Sequence, residues 1–419
     1  MKNVICIVDA YSTGAALAPF FKQAGWFCIH VQSSPDITEE YLPTFAPENF
    51  DLLLAPASSQ LSGFAAILEQ LKNLQPRYII PGTETGVEIA DYLSSLLATP
   101  GNSWKSSRLR RDKFAMQEAL RQGGLAAIPQ CITSHLEEAL AWADAGQEWP
   151  VVVKPVDSAG ADSVRFCSNS EELTQAFNHI IGKKNKLGLT NTHVLLQERL
   201  HGQQFIVNAV SMNGEHLITE IWSDDKIQVS EASLICEKEI LLPYRGEVQQ
   251  QLIAYIKQAL TLLGIHEGPS HSEIMWTKAG PVLIETAARM QGTIMHDAVI
   301  SALGYSHVTL TVERYLEPEK FAQRLHQEYE RKEHLFCVTL ASKSDGVVVE
   351  NRCEALINHL PSYFGMMHTP EKGEKIYRTR DLFTNPGIIY LCHNSEEQII
   401  QDYKIIRQLE NDGLLFELA

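Results

Sequence analysis

The sequence predicts an α/β protein whose centre is of the α+β type. In the first hundred residues, apolar strand-like runs alternate with helix-like segments, which is typical of a parallel sheet covered by helices. From about residue 193 the pattern changes to paired strands, and the Asn213–Gly214 dipeptide is the strongest signal of a hairpin. A chain of 419 residues with 45% hydrophobic residues is long enough for about two or three cores.

The N-terminal alternation can be followed run by run. The predicted strands are VICIV (4–8), FCIHV (27–31), DLLLA (51–55) and RYIIP (77–81), and the predicted helices cover 13–25 and 63–74. Ligands of parallel sheets bind at the carboxyl ends of the strands, where DAYSTG (9–14) and PGTETG (81–86) supply small and hydroxyl residues. Ordinary turns are the alternative for both loops, and the absence of GxGxxG argues against a dinucleotide site.

Two boundaries divide the chain into three predicted domains. TPGNS (99–103) is a linker, followed by a helix that begins at about Arg110 and stops at Gly123–Gly124. A charged stretch at 319–334 separates a last segment with strand-like runs and a final helix. We therefore expect domains at 1–105, 106–330 and 331–419, with a separate subdomain at about 131–195.

Charge and cysteine usage limit the partners and the compartment. The net charge of −16 argues against nucleic acid or an anionic membrane surface as the main partner, and no stretch has the length of a membrane span. No two of the eight cysteines have CxxC spacing, and the N-terminal apolar run is too short for a signal peptide. We expect the protein in a reducing cytoplasm.

HSEIMWTKAGPVLIETAAR predicts a hairpin that turns at Lys278–Ala279–Gly280. If Thr277 pairs with Pro281, then Glu273 lies opposite Glu285, with Cβ atoms about 4.5–5.5 Å apart. Carboxylates that close repel each other unless a cation lies between them, and Mg²⁺ is usually held by one or two carboxylates plus phosphates. The alternative is a solvated face on which both glutamates extend into water. The opposite, core-facing side would carry Ile274, Trp276, Val282 and Ile284.

Basic residues for a polyphosphate are available although no P-loop motif is present. Lys154 ends the run VVV and precedes DSAGADSV, a loop of small residues whose N–H groups could cover phosphates. Lys113 opens a helix after an arginine-rich turn. Arg289 follows the second glutamate, and its alternative is a surface ion pair with Glu285, which would contribute little.

In this order, the segments RDK, VVVKPVDSAG, LLQERLHG, HSEI and LIETAAR resemble the ATP-grasp superfamily of ligases. Within it, the chain is most similar to the bacterial L-amino acid α-ligases (dipeptide synthetases), and the resemblance covers most of the chain. It implies an ATP-grasp fold with an N-terminal pre-ATP-grasp βαβ domain, a central lid subdomain and a small β-rich C-terminal subdomain. It also implies ATP and Mg²⁺, with Mn²⁺ as a substitute, amino-acid substrates, and it allows a homodimer.

The resemblance assigns nucleotide contacts to matching positions. The implied ATP-binding residues are Lys113, Lys154, Ser158, Ala159, Gly160, Glu198, Arg199, Leu200 and Gln204. The lysines and the small-residue loop would hold phosphates, and the segment from Glu198 to Leu200 would hold adenine. Gln204 stands where many relatives have a ribose-binding glutamate. The loop also departs from the family pattern, because Ala161 and Ser163 replace the more usual Ser and Gly.

The resemblance further implies a metal pair and a catalytic arginine. Glu273 and Glu285 would hold Mg²⁺, and Arg289 would contact the transferring phosphoryl group and the acyl intermediate. Ala287 replaces an asparagine that binds the metal in many relatives, and His271 or water would compensate.

Substrate contacts have several candidates. His271, Glu231 and His296 are the predicted substrate residues, although His296 with Asp297 could equally cap a helix. Acidic residues between 220 and 239 could favour a cationic amino acid or bind the substrate ammonium group. An exposed acidic loop is the alternative. These residues are Asp224, Asp225, Glu231, Glu237 and Glu239.

The implied reaction is ATP-dependent joining of two L-amino acids. One carboxylate would attack the γ-phosphate to give an acyl phosphate and ADP, and the second amino acid's amine would displace phosphate. The alternatives are another ATP-grasp carboxylate–amine ligase, of the purine-biosynthesis or carboxylase type, or a non-catalytic nucleotide-binding protein.

Overall fold

The computed structural model describes residues 3–37, 41–146, 148–158, 162–186, 188–230, 233–380 and 384–419. The N-terminal strands form a parallel sheet in the order β3-β2-β1-β4, as the alternating pattern predicted. The elements are β1 (Val4–Val8), α1 (Leu17–Gln23), β2 (Phe27–Val31), β3 (Leu52–Leu54), α2 (Ala65–Leu74), β4 (Tyr78–Pro81) and α3 (Val87–Leu97).

The loops DAYSTG and PGTETG pack directly on each other at the carboxyl edge of this sheet. A Cβ atom on Gly14 would lie 2.3 Å from the carbonyl oxygen of Gly82, so both loops need glycine there. The buried Asp9 carboxylate accepts hydrogen bonds from the hydroxyls of Ser33 and Thr85. The hydrogen bond from Thr85 fixes the PGTETG loop against the end of β1.

The connection to the centre begins with a 3-10 helix at Trp104–Arg110, and α4 spans Lys113–Gln122. The predicted helix start at about Arg110 is therefore wrong by three residues. Asp112 is the N-cap of α4, and its side chain accepts a hydrogen bond from Ala115 N at 2.9 Å. Lys113 is thereby placed at the first helical position.

The next residues form a small antiparallel sheet in the order β5-β8-β6-β7. Val151 and Val153 pack with Leu173 and Phe177 in a hydrophobic core of its own. The elements are β5 (Gln130–Thr133), α5 (Leu136–Asp144), β6 (Val151–Pro155), β7 (Arg165–Cys167), α6 (Ser170–Ile180) and β8 (Val194–Glu198).

The largest sheet of the described residues has eight strands in the order β13-β12-β9-β10-β11-β14-β18-β16. The predicted Asn213–Gly214 turn joins β9 and β10, and both residues have positive φ, at 53° and 83°. The central elements are β9 (Gln203–Met212), β10 (Glu215–Ser230), β11 (Ser233–Leu241), α7 (Glu247–Leu262), β12 (Gly268–Thr277), β13 (Gly280–Ala287), α8 (His296–Leu303), α9 (His307–Leu316) and α10 (Pro318–Arg324).

The C-terminal segment extends this sheet, because β14, β18 and β16 follow β11 in it. A separate three-stranded sheet has the order β17-β15-β19. Over the described residues, no helix combines the length and apolar character needed to cross a membrane. The elements are β14 (His334–Thr339), β15 (Gly346–Asn351), α11 (Cys353–Ile357), β16 (Tyr363–Met367), β17 (Lys375–Ile376), β18 (Ile388–His393), α12 (Glu396–Asn411) and β19 (Phe416–Leu418).

The β12–β13 hairpin has a bulge that changes its predicted register near the turn. Thr277 pairs with Gly280 rather than with Pro281, and Ile284 has no partner on β12. The Gln117 side chain donates hydrogen bonds to the carbonyl groups of Leu283, at 2.8 Å, and Ile284. The bulge moves Leu283 onto the core side opposite Ile274, so the predicted positions of Val282 and Ile284 on that side were wrong. Val282 is nevertheless buried, on the other face of the hairpin.

Candidate active site

Beyond the bulge, Glu273 of β12 and Glu285 of β13 are paired residues, as predicted. Both side chains are 29% exposed, so neither extends fully into water. Directly paired residues of an antiparallel sheet lie on one face, and two carboxylates there offer the hard oxygen donors that Mg²⁺ and Mn²⁺ prefer. The two residues present therefore fit a divalent cation, while Ala287 contributes no donor.

Two neighbours orient Glu273. Gln204 Nε2 donates a hydrogen bond to Glu273 Oε2 at 2.8 Å, and His271 Nε2 lies 3.7 Å from Glu273 Oε1. Burial raises the pKa of Glu273, but His271 together with the charges of Lys226 and Arg289 outweighs it and lowers the pKa to about 2. Glu273 is therefore ionised at neutral pH. Gln204, the predicted ribose ligand, instead contacts a predicted metal ligand.

The two predicted lysines lie close to the glutamate pair. Lys113 Nζ is 3.0 Å from Glu285 Oε2 and donates a hydrogen bond to the Ser158 carbonyl oxygen at 2.6 Å. Lys154 is buried at the end of β6, where burial and the charge of Lys113 lower its pKa to about 8. The structure thus brings together two glutamates of the large sheet, a helix-opening lysine and a lysine of the small sheet.

Arg289 pairs with a residue that the sequence did not single out. Its Nε atom donates to Glu84 Oε2 at 2.9 Å, and Glu84 belongs to the PGTETG loop. Burial raises the pKa of Glu84, but Arg289 and Arg111 outweigh this and hold it below its usual range. Arg289 therefore pairs with Glu84, and Glu285 pairs with Lys113 rather than with Arg289.

Arg111 connects the same loop to the small sheet. Its guanidinium group donates to the carbonyl oxygen of Glu84, lies 3.3 Å from Glu84 Oε1 and pairs with Asp157 Oδ1 at 2.7 Å. Asp157 is the first residue of the predicted phosphate loop DSAGADSV, and Ser158 follows it. The N-terminal loop, the start of α4 and the phosphate loop are therefore linked by ion pairs.

The predicted nucleotide residues of the small sheet are only partly brought together. Ala159 and Gly160 lie outside the described residues. Glu198 pairs with Val151, so it lies on the sheet face opposite Lys154, which is three residues farther along β6. The Arg199 guanidinium stacks over the Phe166 ring at 5.0 Å, and the adjoining Leu200 is partly exposed.

A buried polar network extends from the glutamate pair along the same sheet face. His271 Nδ1 lies 2.9 Å from Asn208 Oδ1, and Asn208 Nδ2 donates to Glu220 and to Gln291, each at 2.7 Å. Gln291 Nε2 then donates to Glu239 Oε2 at 3.0 Å. Burial raises the pKa of Glu220 to about 7, and burial with nearby carboxylates raises that of Glu239 to about 8.

The described acidic residues between 220 and 239 lie on strands, so the alternative of an exposed acidic loop is wrong for them. Asp224 and Glu239 pair across β10 and β11 on the face of Gln204. Asp225 and Glu237 contact other groups, with Asp225 bound to Lys238 at 2.6 Å and Glu237 to the Tyr403 hydroxyl at 2.5 Å.

Two further residues, His296 and Glu231, were predicted to contact the substrate. His296 is the first residue of α8, with Nδ1 3.4 Å from Asp297 Oδ1, and its ring meets Phe20 edge-on. Met295 is the N-cap residue of this helix, so His296 does not cap it. Glu231 lies outside the described residues.

Glu84, Arg111 and Gln291 were missed by the sequence reasoning. A signal existed for Glu84, because PGTETG follows the strand β4 at the edge where parallel sheets bind ligands. Arg111 precedes Lys113 in the arginine-rich turn, and Gln291 follows Arg289 by two residues. Only their contacts with residues far away in the chain distinguish these three from ordinary surface residues.

Comparison with known proteins agrees with this arrangement. A family model described as an ATP-grasp domain matches residues 147–297. Dapdiamide A synthase of Enterobacter agglomerans is 34% identical over 421 aligned residues, which cover 98% of this chain and 96% of that protein.

Solved structures resemble the whole chain at lower sequence identity. An L-amino acid ligase from Bacillus licheniformis superposes with a TM-score of 0.76 and 18% identity, covering 100% of this chain and 98% of that one. A phosphoribosylglycinamide synthetase from Anaerococcus prevotii superposes with a TM-score of 0.66 and 15% identity, covering 100% of both chains. At these identities the two structures establish the fold.

Proposed function

The chain belongs to the ATP-grasp family of ATP-dependent carbon–nitrogen ligases, and we propose that it joins two L-amino acids into a dipeptide. The observation that carries this proposal is the grouping of Glu273, Glu285, Lys113, Lys154 and Arg289 around one end of the large sheet. The relatives named as dapdiamide A synthase and L-amino acid ligase support the substrate class.

Glu273 and Glu285 would hold Mg²⁺ together with the ATP phosphates, and Mn²⁺ suits the same donors. When bound, the metal would neutralise phosphate charge and polarise the γ-phosphoryl group. Lys113 and Lys154 would bind phosphate oxygens, so Lys113 would exchange Glu285 for the nucleotide. Gln204 and His271 would keep the Glu273 carboxylate oriented and ionised.

In the first step, a carboxylate oxygen of one amino acid attacks the γ-phosphorus, and the bond to the bridging oxygen of ADP breaks. The products are an aminoacyl phosphate and ADP. Arg289, held by Glu84, would stabilise negative charge on the transferring phosphoryl oxygens.

In the second step, the amine of the other amino acid attacks the acyl carbon, and the carbon–oxygen bond to phosphate breaks. The amine loses a proton, so the products are the dipeptide and inorganic phosphate. Arg289 would also stabilise the oxyanion formed at the acyl carbon.

The acyl phosphate must be kept from water until the amine arrives. The unit at about 131–195, which carries Lys154 and the loop after Asp157, is the proposed lid. The Arg111–Asp157 ion pair, at 2.7 Å, links this unit to the residue that contacts the N-terminal loop, so it would help to hold the lid over the site. Since ATP is the co-substrate, we place the reaction in the cytoplasm.

The deciding experiment incubates the protein with ATP, Mg²⁺ and a pool of the twenty L-amino acids. We expect ADP, phosphate and a dipeptide mass that all require the amino acids. Formation of AMP and pyrophosphate would instead indicate an adenylating enzyme. ADP that depends on bicarbonate or on a ribonucleotide amine, without dipeptide, would place the protein with the other carboxylate–amine ligases. ATP binding without turnover would indicate a non-catalytic nucleotide-binding protein.

A further inference from the structure

We propose that Asp224 and Glu239 form the binding site for the ammonium group of an amino-acid substrate. This inference rests on the proposed function and specifies which side chains distinguish an amino acid from other carboxylic acids. It separates two of the acidic residues at 220–239 from the others, and four observations support it.

The first observation is position. Asp224 of β10 pairs with Gln204 of β9 on one side and with Glu239 of β11 on the other, so the three side chains lie in a row on one sheet face. Gln204 donates to Glu273 at 2.8 Å. The row therefore begins beside the metal pair and ends at Glu239, which keeps part of its surface accessible.

The second observation is an unused acceptor. Asp224 is 3% exposed, and its Oδ2 atom is paired with Lys226 Nζ at 2.6 Å. Its Oδ1 atom is buried, and no nitrogen or oxygen donor of the residues that the structure describes reaches it. Besides Lys226, the thiol of Cys236, a weak donor, is the neighbour that hydrogen-bonds this carboxylate. A buried carboxylate oxygen without a donor is costly, and an ammonium group brings three N–H donors.

The third observation is charge. Burial raises the pKa of both Asp224 and Glu239, and a cation bound between them would favour their ionised forms. In those forms the two residues carry two negative charges, and Lys226 supplies one positive charge in return. One ammonium group would make this group of four charges neutral. A divalent metal bound by Asp224, Glu239 and the thiolate of the nearby Cys236, whose ligand atoms lie within 4.8 Å of one another, would also be neutral with Lys226. Burial and the neighbouring carboxylates raise the pKa of the Cys236 thiol, however, and so disfavour the thiolate that a metal ligand needs. A monovalent organic cation needs no such deprotonation.

The fourth observation is proximity to the reacting end of the substrate. Gln291 Nε2 donates to Glu239 Oε2 at 3.0 Å, and Gln291 is only two residues from Arg289. The Glu239 carboxylate therefore lies against the segment that carries the proposed catalytic arginine. In an α-amino acid, one carbon separates the carboxylate from the ammonium nitrogen, so adjoining sites for the two groups are required.

A bulge in β11 provides a control residue, Glu237, on the same strand as Glu239. Asp225 pairs with Lys238 and Lys226 pairs with Cys236, so Glu237 has no partner on β10. Glu237 binds the Tyr403 hydroxyl of α12 instead of joining the row. Glu237→Gln and Glu239→Gln are the same chemical change, two residues apart on one strand, and only the second removes charge from the proposed site.

The test measures ADP release by the full chain with ATP, Mg²⁺ and either the pool of L-amino acids or a pool of the matching 2-hydroxy acids. We expect Glu239→Gln and Asp224→Asn to raise the half-saturating concentration of the amino-acid pool at least tenfold, with little change in the KM for ATP. Glu237→Gln should match the wild type. In Glu239→Gln the preference for amino acids over hydroxy acids should fall at least tenfold, and this ratio is readable even if total activity drops.

Three results would overturn the assignment. Unchanged amino-acid saturation and preference in Glu239→Gln, with wild-type activity present, would reject the site and leave the proposed function standing. A wild-type protein that releases no ADP with the pool would reject the proposed function and the ammonium site with it. One equivalent of a tightly bound transition metal in the wild type, lost in Glu239→Gln, would show that the group is a metal site.

Discussion

Arg289 Nε donates a hydrogen bond to Glu84 Oε2 at 2.9 Å, joining residues 205 positions apart in the chain. Glu84 also contacts Arg111, which in turn pairs with Asp157. The N-terminal sheet therefore contributes a side chain to the candidate site although it carries neither the proposed metal ligands nor the lysines. We propose that Glu84 positions Arg289 for its proposed catalytic role.

Glu84→Gln should lower kcat at least about tenfold, because the neutral amide no longer fixes the guanidinium group that stabilises transition-state charge. The KM for ATP should change much less, since Lys113 and Lys154 remain. Steady-state kinetics would separate the two constants. Glu88→Gln, an exposed neighbour on α3, is the matched control. A wild-type kcat in Glu84→Gln would show that Arg289 needs no partner.

Glu285→Ala should abolish ligase turnover, because one of the two carboxylates proposed to hold Mg²⁺ is lost. Mn²⁺ binding in the presence of ADP, followed by electron paramagnetic resonance, should weaken at least about tenfold. Glu215→Ala removes a glutamate on β10 whose side chain is 57% exposed, and it should bind Mn²⁺ like the wild type. Normal Mn²⁺ binding by Glu285→Ala would refute the metal site.

Gln204→Glu distinguishes the two roles considered for this residue. If Gln204 orients Glu273 through its 2.8 Å hydrogen bond, a second carboxylate there repels Glu273. The Mg²⁺ concentration needed for half-maximal rate should then rise about tenfold, with a smaller change in the KM for ATP. A lower KM for ATP with an unchanged Mg²⁺ requirement would favour the ribose contact that the family resemblance implies.

The buried His30 should make folding stability depend on pH. Burial among Tyr11, Phe45 and Phe50 lowers its pKa from 6.5 to about 4, so the folded state keeps the ring neutral. Between these values only the unfolded chain binds the proton. The free energy of unfolding should therefore decrease as the pH falls from about 6.5 to 4, by up to about 1.4 kcal/mol per pH unit from this residue.

Denaturant unfolding of His30→Phe across this pH range checks that expectation. The variant should lose part of the acid sensitivity, since phenylalanine cannot titrate and fits an aromatic cluster. Substituting the exposed His359 with glutamine should leave the pH profile as in the wild type. Equal slopes for His30→Phe and the wild type would mean that the buried ring does not contribute.

Local patterns were enough to predict much of the fold. The β-α-β alternation predicted the parallel sheet, and Asn213–Gly214 predicted a hairpin that the structure has with both residues at positive φ. The pairing of Glu273 with Glu285 was also predicted, although the assumed register near the turn was wrong. The bulge at Ile284 could not be foreseen, because the hydrogen bonds that hold it come from Gln117 on a distant helix.

The sequence by itself determined the strand and helix types, which depend on periodicity and spacing over short stretches. It also carried the ordered segments whose resemblance to ATP-grasp ligases implied the family and the expected roles of the glutamates, lysines and arginine. Only the tertiary structure decided that Arg289 meets Glu84, and that Asp224 and Glu239 face the site while Asp225 and Glu237 do not. The physical reason is that strand pairing and a single bulge decide which face of a sheet a side chain occupies, and both depend on residues far away in the chain.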